Sequence, residues 1–311
     1  YTLINMAFQE NRVKSNPANA LELIAQADAM PLQNPYLRSS ILCMRGDLEI
    51  RVGHYGDGEK SLHRALELYP GNNDASERLC ELEMLRGDVA AALRQLANTH
   101  SHSHQFWGFT VFGVPLFKGY LFLHTGRFNQ AEAEFQRLSL DTHGIQEFCR
   151  ATGDFFCGNY KAALDKLKVL EKSPLGYVDL RELRLLLGRT LLLNSANSRK
   201  ARFFFEDLSN KSLDFGHLAE ISSCYCLACA GRTAEAAESA KTSFTRLKDK
   251  ARGDFMTRLW LFYDAYVYGL VMDMAGDYKQ AQRGFKACIS ANPHTELAAK
   301  ARKRLSKKQR S

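Results

Sequence analysis

The chain has 311 residues, of which 45% are hydrophobic and 24% charged, a composition typical of a folded globular protein. No apolar run is long enough to cross a bilayer, so the sequence predicts no membrane span. The formal charge of +8 comes mainly from the last dozen residues. The rest of the chain is nearly neutral, so its charge favours neither nucleic acid nor a membrane surface as a partner.

The cysteines indicate a reducing location. All 8 of them lie on apolar helical patterns, where a cysteine behaves as a small buried hydrophobic residue. We therefore expect free thiols and a cytoplasmic protein.

The predicted elements, taken in chain order, are repeated helix pairs. Residues 1–38 predict an incomplete first unit, whose second helix has the sequence NPANALELIAQADAM. Residues 39–294 hold seven units, and in six of them a glycine precedes an amphipathic helix. These glycines are Gly53, Gly87, Gly126, Gly158, Gly231 and Gly276. Ser195 takes this place in the fifth unit, and residues 295–311 predict a basic capping helix and tail.

Small residues recur at fixed distances from these turns. Seven residues before each turn stand Gly46, Cys80, Gly119, Ala151, Gly188, Cys224 and Gly269. Five residues after six of the turns stand Gly58, Ala92, Ala131, Ala163, Ala236 and Ala281, whereas the fifth unit has Lys200 followed by Ala201. Two antiparallel helices approach closely only where one side chain is small, and glycine allows the turn because it adopts positive φ at little cost. The spacing therefore predicts closely packed helical hairpins.

This pattern resembles the tetratricopeptide repeat family. The last unit, YDAYVYGLVMDMAGDYKQAQRGFKACISANP, matches most fully, with Gly269, Gly276, Tyr278, Ala281 and Phe285 where the family places them. The resemblance implies an all-α fold, a right-handed α-α superhelix of about seven to eight helix pairs with a C-terminal capping helix. Because each pair needs its neighbours to bury its apolar face, we expect one solenoid domain over residues 1–311.

Three short motifs raise the question of chemistry. His100, His102 and His104 alternate in a predicted connector, but no acidic residue lies between Asp88 and Glu132 to complete a metal site. On a helix, Cys224, Cys226 and Cys229 would point in different directions and would not converge on one ion. The segment GHYGDGEKS lacks the lysine that a phosphate-binding loop has directly after its second glycine. We therefore predict no catalytic residue, no metal and no cofactor.

The family resemblance implies that the first helix of each unit lines a concave groove. Carried over to this sequence, the groove has an acidic end formed by Asp47, Glu77 and Glu81. Its remaining wall is apolar and aromatic and contains Leu116, Tyr120, Phe148, Phe155, Arg189, Tyr225, Tyr263 and Tyr266. Such a wall suits a partner segment with apolar anchors and a basic residue at one end. The alternatives are that these aromatic residues fill the interior or are buried by a second subunit.

The predicted function is a non-catalytic adaptor or chaperone-like scaffold that binds a peptide segment of another protein, with self-assembly as an additional option. A regulatory module of a peptide-sensing or transcription-controlling protein is the alternative. A third is an RNA-associated scaffold that acts through the basic tail. That tail contains Lys300, Arg302, Lys303, Arg304, Lys307 and Lys308, which also suit a solvated cap of the last repeat.

Overall fold

The computed structural model describes residues 2–12, 16–97, 113–138, 143–172, 180–195, 198–211 and 216–308. These residues form seventeen helices and no strand, which confirms the all-α prediction. In chain order the helices are α1 (Thr2–Arg12), α2 (Pro17–Asp28), α3 (Pro35–Arg51), α4 (Tyr55–Leu68), α5 (Asn73–Arg86), α6 (Val89–Ala97), α7 (Gly113–His124), α8 (Phe128–Gln136), α9 (His143–Cys157), α10 (Tyr160–Lys172), α11 (Leu180–Ser195), α12 (Ser198–Lys211), α13 (Gly216–Cys229), α14 (Thr233–Lys250), α15 (Phe255–Met274), α16 (Tyr278–Ala291) and α17 (Glu296–Lys308).

The turns within the helix pairs are made by the glycines that the sequence singles out. Every described glycine with positive φ is one of them: Gly53, Gly87, Gly126, Gly158, Gly231 and Gly276, with φ between 74° and 92°. At Gly87 the φ of 88° ends α5 in the left-handed conformation, and its N–H donates to Met84 O. A residue with a Cβ adopts this conformation at a cost, so glycine lets the next helix start almost at once.

The small residues lie where paired helices touch. A Cβ added to Gly46 would lie 2.7 Å from Leu62 Cγ and 2.9 Å from the carbonyl oxygen of Gly58. In the last pair, a Cβ added to Gly269 would lie 2.6 Å from Phe285 Cε1. The predicted close approach of α3 to α4 and of α15 to α16 is therefore confirmed.

Two irregular units of the repeat bury the small residues expected at their helix contacts. Ala20 and Ala27 of α2 are fully or almost fully buried, as expected for the second helix of the incomplete first unit. In the fifth unit Ala201 is fully buried in α12 while Lys200 is exposed, so the small packing residue has shifted by one position. α17 is the predicted capping helix.

The chain divides into two compact units. Unit 1 comprises residues 1–118 and 250–255, and unit 2 comprises residues 119–249 and 256–311. One solenoid domain over the whole chain therefore stays a prediction.

Unit 1 contains a segment that is distant in sequence from its helices. Residues 250–255 pack against α3 and α4, where Tyr55 Oη donates to the carbonyl oxygen of Arg252 over 2.6 Å. A Cβ on Gly253 would lie 2.9 Å from the carbonyl oxygen of Arg51, so the two backbones are in direct contact.

In unit 2, the C-terminal end of the last repeat contacts much earlier helices. Asn292 Nδ2 donates to the carbonyl oxygen of Leu123 over 3.2 Å, across 169 residues of sequence. A Cβ on Gly126 would lie 2.4 Å from His294 Cβ, and the ammonium group of Lys300 lies 5.1 Å from the centre of the Tyr160 ring. The turns of α7–α8 and α9–α10 therefore pack against the segment that leads into α17.

Candidate functional site

Part of the predicted aromatic wall of unit 2 lies on α15, and Phe155 and Arg189 pack against that helix. Five of its side chains are buried, namely Phe148, Phe155, Arg189, Tyr263 and Tyr266. The ring of Phe155 on α9 lies 5.4 Å from that of Trp260 and 5.7 Å from that of Tyr263, both on α15. On α13, the hydroxyl of Ser222 is 3.0 Å from that of Tyr263.

Their burial corrects the expectation that the five side chains line an open groove. First helices of three pairs, α9, α11 and α13, all face α15, which is 20 residues long and mostly apolar. α15 is itself held by α16 through the contact of Gly269 with Phe285, so it is part of the repeat core. The alternative that the aromatic residues fill the interior is the one that the structure supports for these five.

Arg189 and Asp264 form an ion pair inside this core. Both side chains are at most 1% exposed, and Arg189 Nη2 donates to the two carboxylate oxygens of Asp264, each at 3.2 Å. The same nitrogen donates to the carbonyl oxygen of Leu218 at 3.0 Å. The guanidinium carbon lies 4.8 Å from the centre of the Trp260 ring and 4.7 Å from that of Tyr263, both favourable cation–π distances.

Burial changes the pKa of the carboxylate in this pair. Loss of solvation raises the pKa of Asp264 from its ordinary 3.8 to about 6, although the charge of Arg189 acts in the opposite direction. The sequence placed Arg189 on a groove wall as a possible contact for a partner. The structure gives it a carboxylate from its own chain instead.

Tyr120 and Tyr225 in unit 2, and Leu116 in unit 1, are half-buried. The Tyr120 ring packs edge-on against Phe135 at 5.9 Å. Contact of an apolar partner group with Leu116, Tyr120 or Tyr225 stays a prediction.

The predicted acidic residues come together in unit 1 with two arginines. We call Asp47 and Arg51 of α3, with Glu77, Arg78 and Glu81 of α5, the charged face. Arg51 Nε is 3.0 Å from Asp47 Oδ2, Arg78 Nη1 is 3.7 Å from Asp47 Oδ1, and Arg78 also pairs with Glu81. The side chains of Asp47 and Glu81 are 21% and 15% exposed. The face is therefore partly accessible to solvent.

Negative charge is in excess on the charged face. Asp254 adds a further carboxylate, with Oδ2 3.3 Å from Arg51 Nη1, so two guanidinium groups face four carboxylates. Glu77 forms no ion pair with a described residue. Burial raises the pKa of Glu77 from 4.5 to about 7 and also raises that of Glu81, and in both cases Arg78 lowers it in part. Carboxylates held in this way gain from a further cation.

Part of the predicted basic tail is engaged within unit 2. Arg304 Nη1 is 3.0 Å from Asp273 Oδ2, and Lys300 Nζ is 3.9 Å from Glu296 Oε1. Arg302 and Lys303 are exposed. The side chains of Lys307 and Lys308 lie outside the described residues.

Of the histidine and cysteine motifs considered above as metal sites, the structure describes the cysteines. His100, His102 and His104 lie outside the described residues. Within the described part of the chain, no three His, Cys, Asp or Glu side chains are grouped in a way that would hold a metal ion. Cys224 and Cys226 are buried in α13 while Cys229 is exposed, so the three thiols do not share one environment. Across the same described ranges, no helix has the length and apolar character of a membrane span.

The sequence reasoning missed the contact between Arg189 and Asp264. A signal was present: Asp264 is an acidic residue inside a long apolar helix, and Arg189 is the basic residue of an otherwise apolar wall. Because buried charges are usually paired, the two residues could have been predicted to form an ion pair. The groove assignment gave Arg189 an external partner and left Asp264 unexplained.

These observations describe tandem helix pairs that are similar in fold to tetratricopeptide repeats. No protein-family model matches the sequence, and no curated protein matches it. Solved structures with similar helix arrangements include a tetratricopeptide repeat protein from Parabacteroides merdae, 16% identical over 96% of each chain, with a TM-score of 0.33. The signal-transduction ATPase with a tetratricopeptide repeat sensor from Pyrococcus horikoshii is 13% identical over 95% of this chain and 52% of its own, with a TM-score of 0.46.

A third similar structure is YrrB, described as a tetratricopeptide repeat protein with an unusual peptide-binding site. It is 14% identical over 79% of this chain and 99% of its own, with a TM-score of 0.28. The resemblance to this repeat type rests on the turn glycines and the helix contacts given above and not on these matches.

Proposed function

We propose that this protein is a non-catalytic cytoplasmic adaptor that holds a segment of another protein on the charged face of unit 1. Tandem helix pairs form extended surfaces on a rigid scaffold, which suits the binding of another protein rather than chemistry. The observation that carries the proposal is the excess of partly accessible carboxylates on the successive first helices α3 and α5.

The chemistry of the face specifies the partner. A lysine or arginine of the partner would approach Glu77, which has no ion pair with a described residue and whose raised pKa reflects an unfavourable charged state. Arg51 and Arg78 hold Asp47 and Glu81 in place, so little side-chain entropy is lost when a cation binds. The partner segment is therefore basic at the position that meets α5.

An array of peptides tests this proposal. Peptides that combine Lys or Arg with Leu or Phe are probed with the full chain and with a Glu77→Gln/Glu81→Gln variant. Binding of the basic peptides should fall at least about fivefold in the variant, since each desolvated charge contact contributes about 1 kcal/mol or more. Peptides without Lys or Arg should not change.

The matched control neutralises two carboxylates elsewhere in unit 1. Asp57 and Glu67 of α4 have side chains that are 64% and 62% exposed, so Asp57→Asn/Glu67→Gln makes the same charge change away from the charged face. Equal losses in both variants would show a general charge effect and reject the proposed face. Full binding by the Glu77→Gln/Glu81→Gln variant would reject it too.

A further inference from the structure

The positive charge of the chain is concentrated on its last two helices. α16 carries three Lys or Arg residues and no acidic residue, and α17 carries six against one Glu. Their combined charge equals the formal +8 of the whole chain. The feature is thus larger than the predicted basic tail, because it includes a helix of the last repeat.

The cations of α16 lie on one face of the helix. Ala281, Phe285 and Cys288 are buried, while Lys279, Arg283 and Lys286 are exposed. Positions four and three residues apart lie on the same side of a helix, so the three charges follow one line about 10 Å long. Arg302 and Lys303 extend the exposed charge onto α17, which packs against α16.

Some exposed cations on other second helices are neutralised locally. In α4, Lys60 pairs with Asp57 and Arg64 with Glu67, each three residues away. In α12, Arg202 pairs with Glu206, four residues away. Lys279, Arg283, Lys286 and Lys303 form no ion pair with any residue in the described ranges. Like charges one turn apart repel each other, and an anionic partner would relieve that repulsion.

We propose that the exposed face of α16 and α17 binds an acidic segment, rich in Asp and Glu, of a partner protein. Charge complementarity selects an anionic partner. Tyr278 is the one aromatic residue on the described part of these two helices that is largely exposed, whereas binding of single-stranded nucleic acid uses several aromatic rings for base stacking. Carboxylates need no such rings. The proposal uses different residues from the charged face and does not depend on it.

The test measures binding of a labelled peptide of about 15 residues, rich in Asp and Glu, to the full chain at low and moderate salt. In Lys279→Glu/Arg283→Glu/Lys286→Glu the dissociation constant should rise at least about tenfold, because three attractions become three repulsions. The affinity of the unaltered chain should fall as salt increases. Lys279→Gln/Arg283→Gln/Lys286→Gln should raise the dissociation constant by a smaller factor. It replaces the charge-reversed variant in the test if that variant does not fold.

The control reverses three charges on α10. Lys161, Lys168 and Lys172 are exposed on the second helix of another pair in unit 2, so Lys161→Glu/Lys168→Glu/Lys172→Glu changes the net charge by the same amount. Its affinity should stay within about twofold of the original. An equal loss in this control, or no peptide binding by the unaltered chain, would overturn the proposal.

Parallel measurements use single-stranded RNA, duplex DNA and vesicles of anionic lipid. Weaker binding of all three than of the peptide supports an acidic protein segment as the partner. Tighter binding of RNA, DNA or vesicles, lost in the α16 variant, would instead assign the face to that partner and overturn the proposal.

Discussion

Removal of one member of the buried Arg189–Asp264 pair should destabilise unit 2 strongly. The Nη2–Oδ distances are 3.2 Å, and both side chains are at most 1% exposed. At an effective dielectric constant of about 20, two unit charges at this distance attract by about 5 kcal/mol. Arg189→Met removes that attraction and leaves Asp264 buried without its cation, so we expect a loss of roughly 3–5 kcal/mol in the free energy of unfolding.

The double variant Arg189→Met/Asp264→Leu separates pairing from packing. It removes both charges and keeps apolar volume at both positions, so its stability should lie within about 1–2 kcal/mol of the original chain. Arg189 Nε and Nη1 have no hydrogen-bond partner in the described part of the chain, which adds to the gain from removing both charges. The assay is urea unfolding followed by circular dichroism, as a double-mutant cycle.

The cycle also tests the placement of α15. If Arg189 lay on an open groove wall, it would be solvated, and Arg189→Met would change the free energy of unfolding by less than about 1 kcal/mol. A small effect of that single substitution, or additive effects of the two single substitutions, would refute the packing of α15 against α11.

Three further predictions concern packing, stability against pH and binding against pH. Gly269→Val should lower the free energy of unfolding, measured by thermal unfolding, by more than about 3 kcal/mol, because its Cβ would lie 2.6 Å from the Phe285 ring. The control Gly153→Ala has open space at the Cβ, so it should be neutral or stabilising by up to about 1 kcal/mol. Burial, aided by the charge of Arg258, lowers the pKa of His124 from 6.5 to about 4. The unfolded chain therefore binds more protons than the folded chain, and the free energy of unfolding decreases as the pH falls from 6.5 to 4. In urea titrations a His124→Gln chain should lose roughly 3 kcal/mol less over this range. The same pH profile for both chains would refute the burial of a neutral His124. Basic peptides should bind the charged face more tightly at pH 8 than at pH 6, because Glu77, with a pKa of about 7, is mostly ionised at pH 8 and mostly protonated at pH 6. Glu77→Gln should remove this difference in fluorescence titrations.

The sequence predicted the helix pairs because their determinants are local. A glycine at a turn and a small residue seven positions before it act through neighbouring residues, and the φ of 92° at Gly53 and the contact of Gly46 with Leu62 follow directly. The shift from Lys200 to Ala201 was visible for the same reason.

The interior of unit 2 was not predictable in this way. Arg189 and Asp264 are 75 residues apart, and their contact depends on how several helix pairs are arranged in space. Apolar positions facing a groove and apolar positions facing a helix have the same sequence pattern. The pattern therefore identified Phe155 and Tyr263 as inward-facing without showing that they face each other.

The bond from Asn292 to the carbonyl oxygen of Leu123 has a consequence for how unit 2 unfolds. In an open row of repeats the terminal helices fray first, and stability is close to a one-dimensional sum over neighbours. Here the last repeat is attached to helices 169 residues earlier, so loosening either one releases the other. Amide hydrogen exchange in α7, α8 and α16 should therefore be similarly slow, as expected for one cooperative unit. The rates should not decrease gradually from the C-terminal end of the repeats inward.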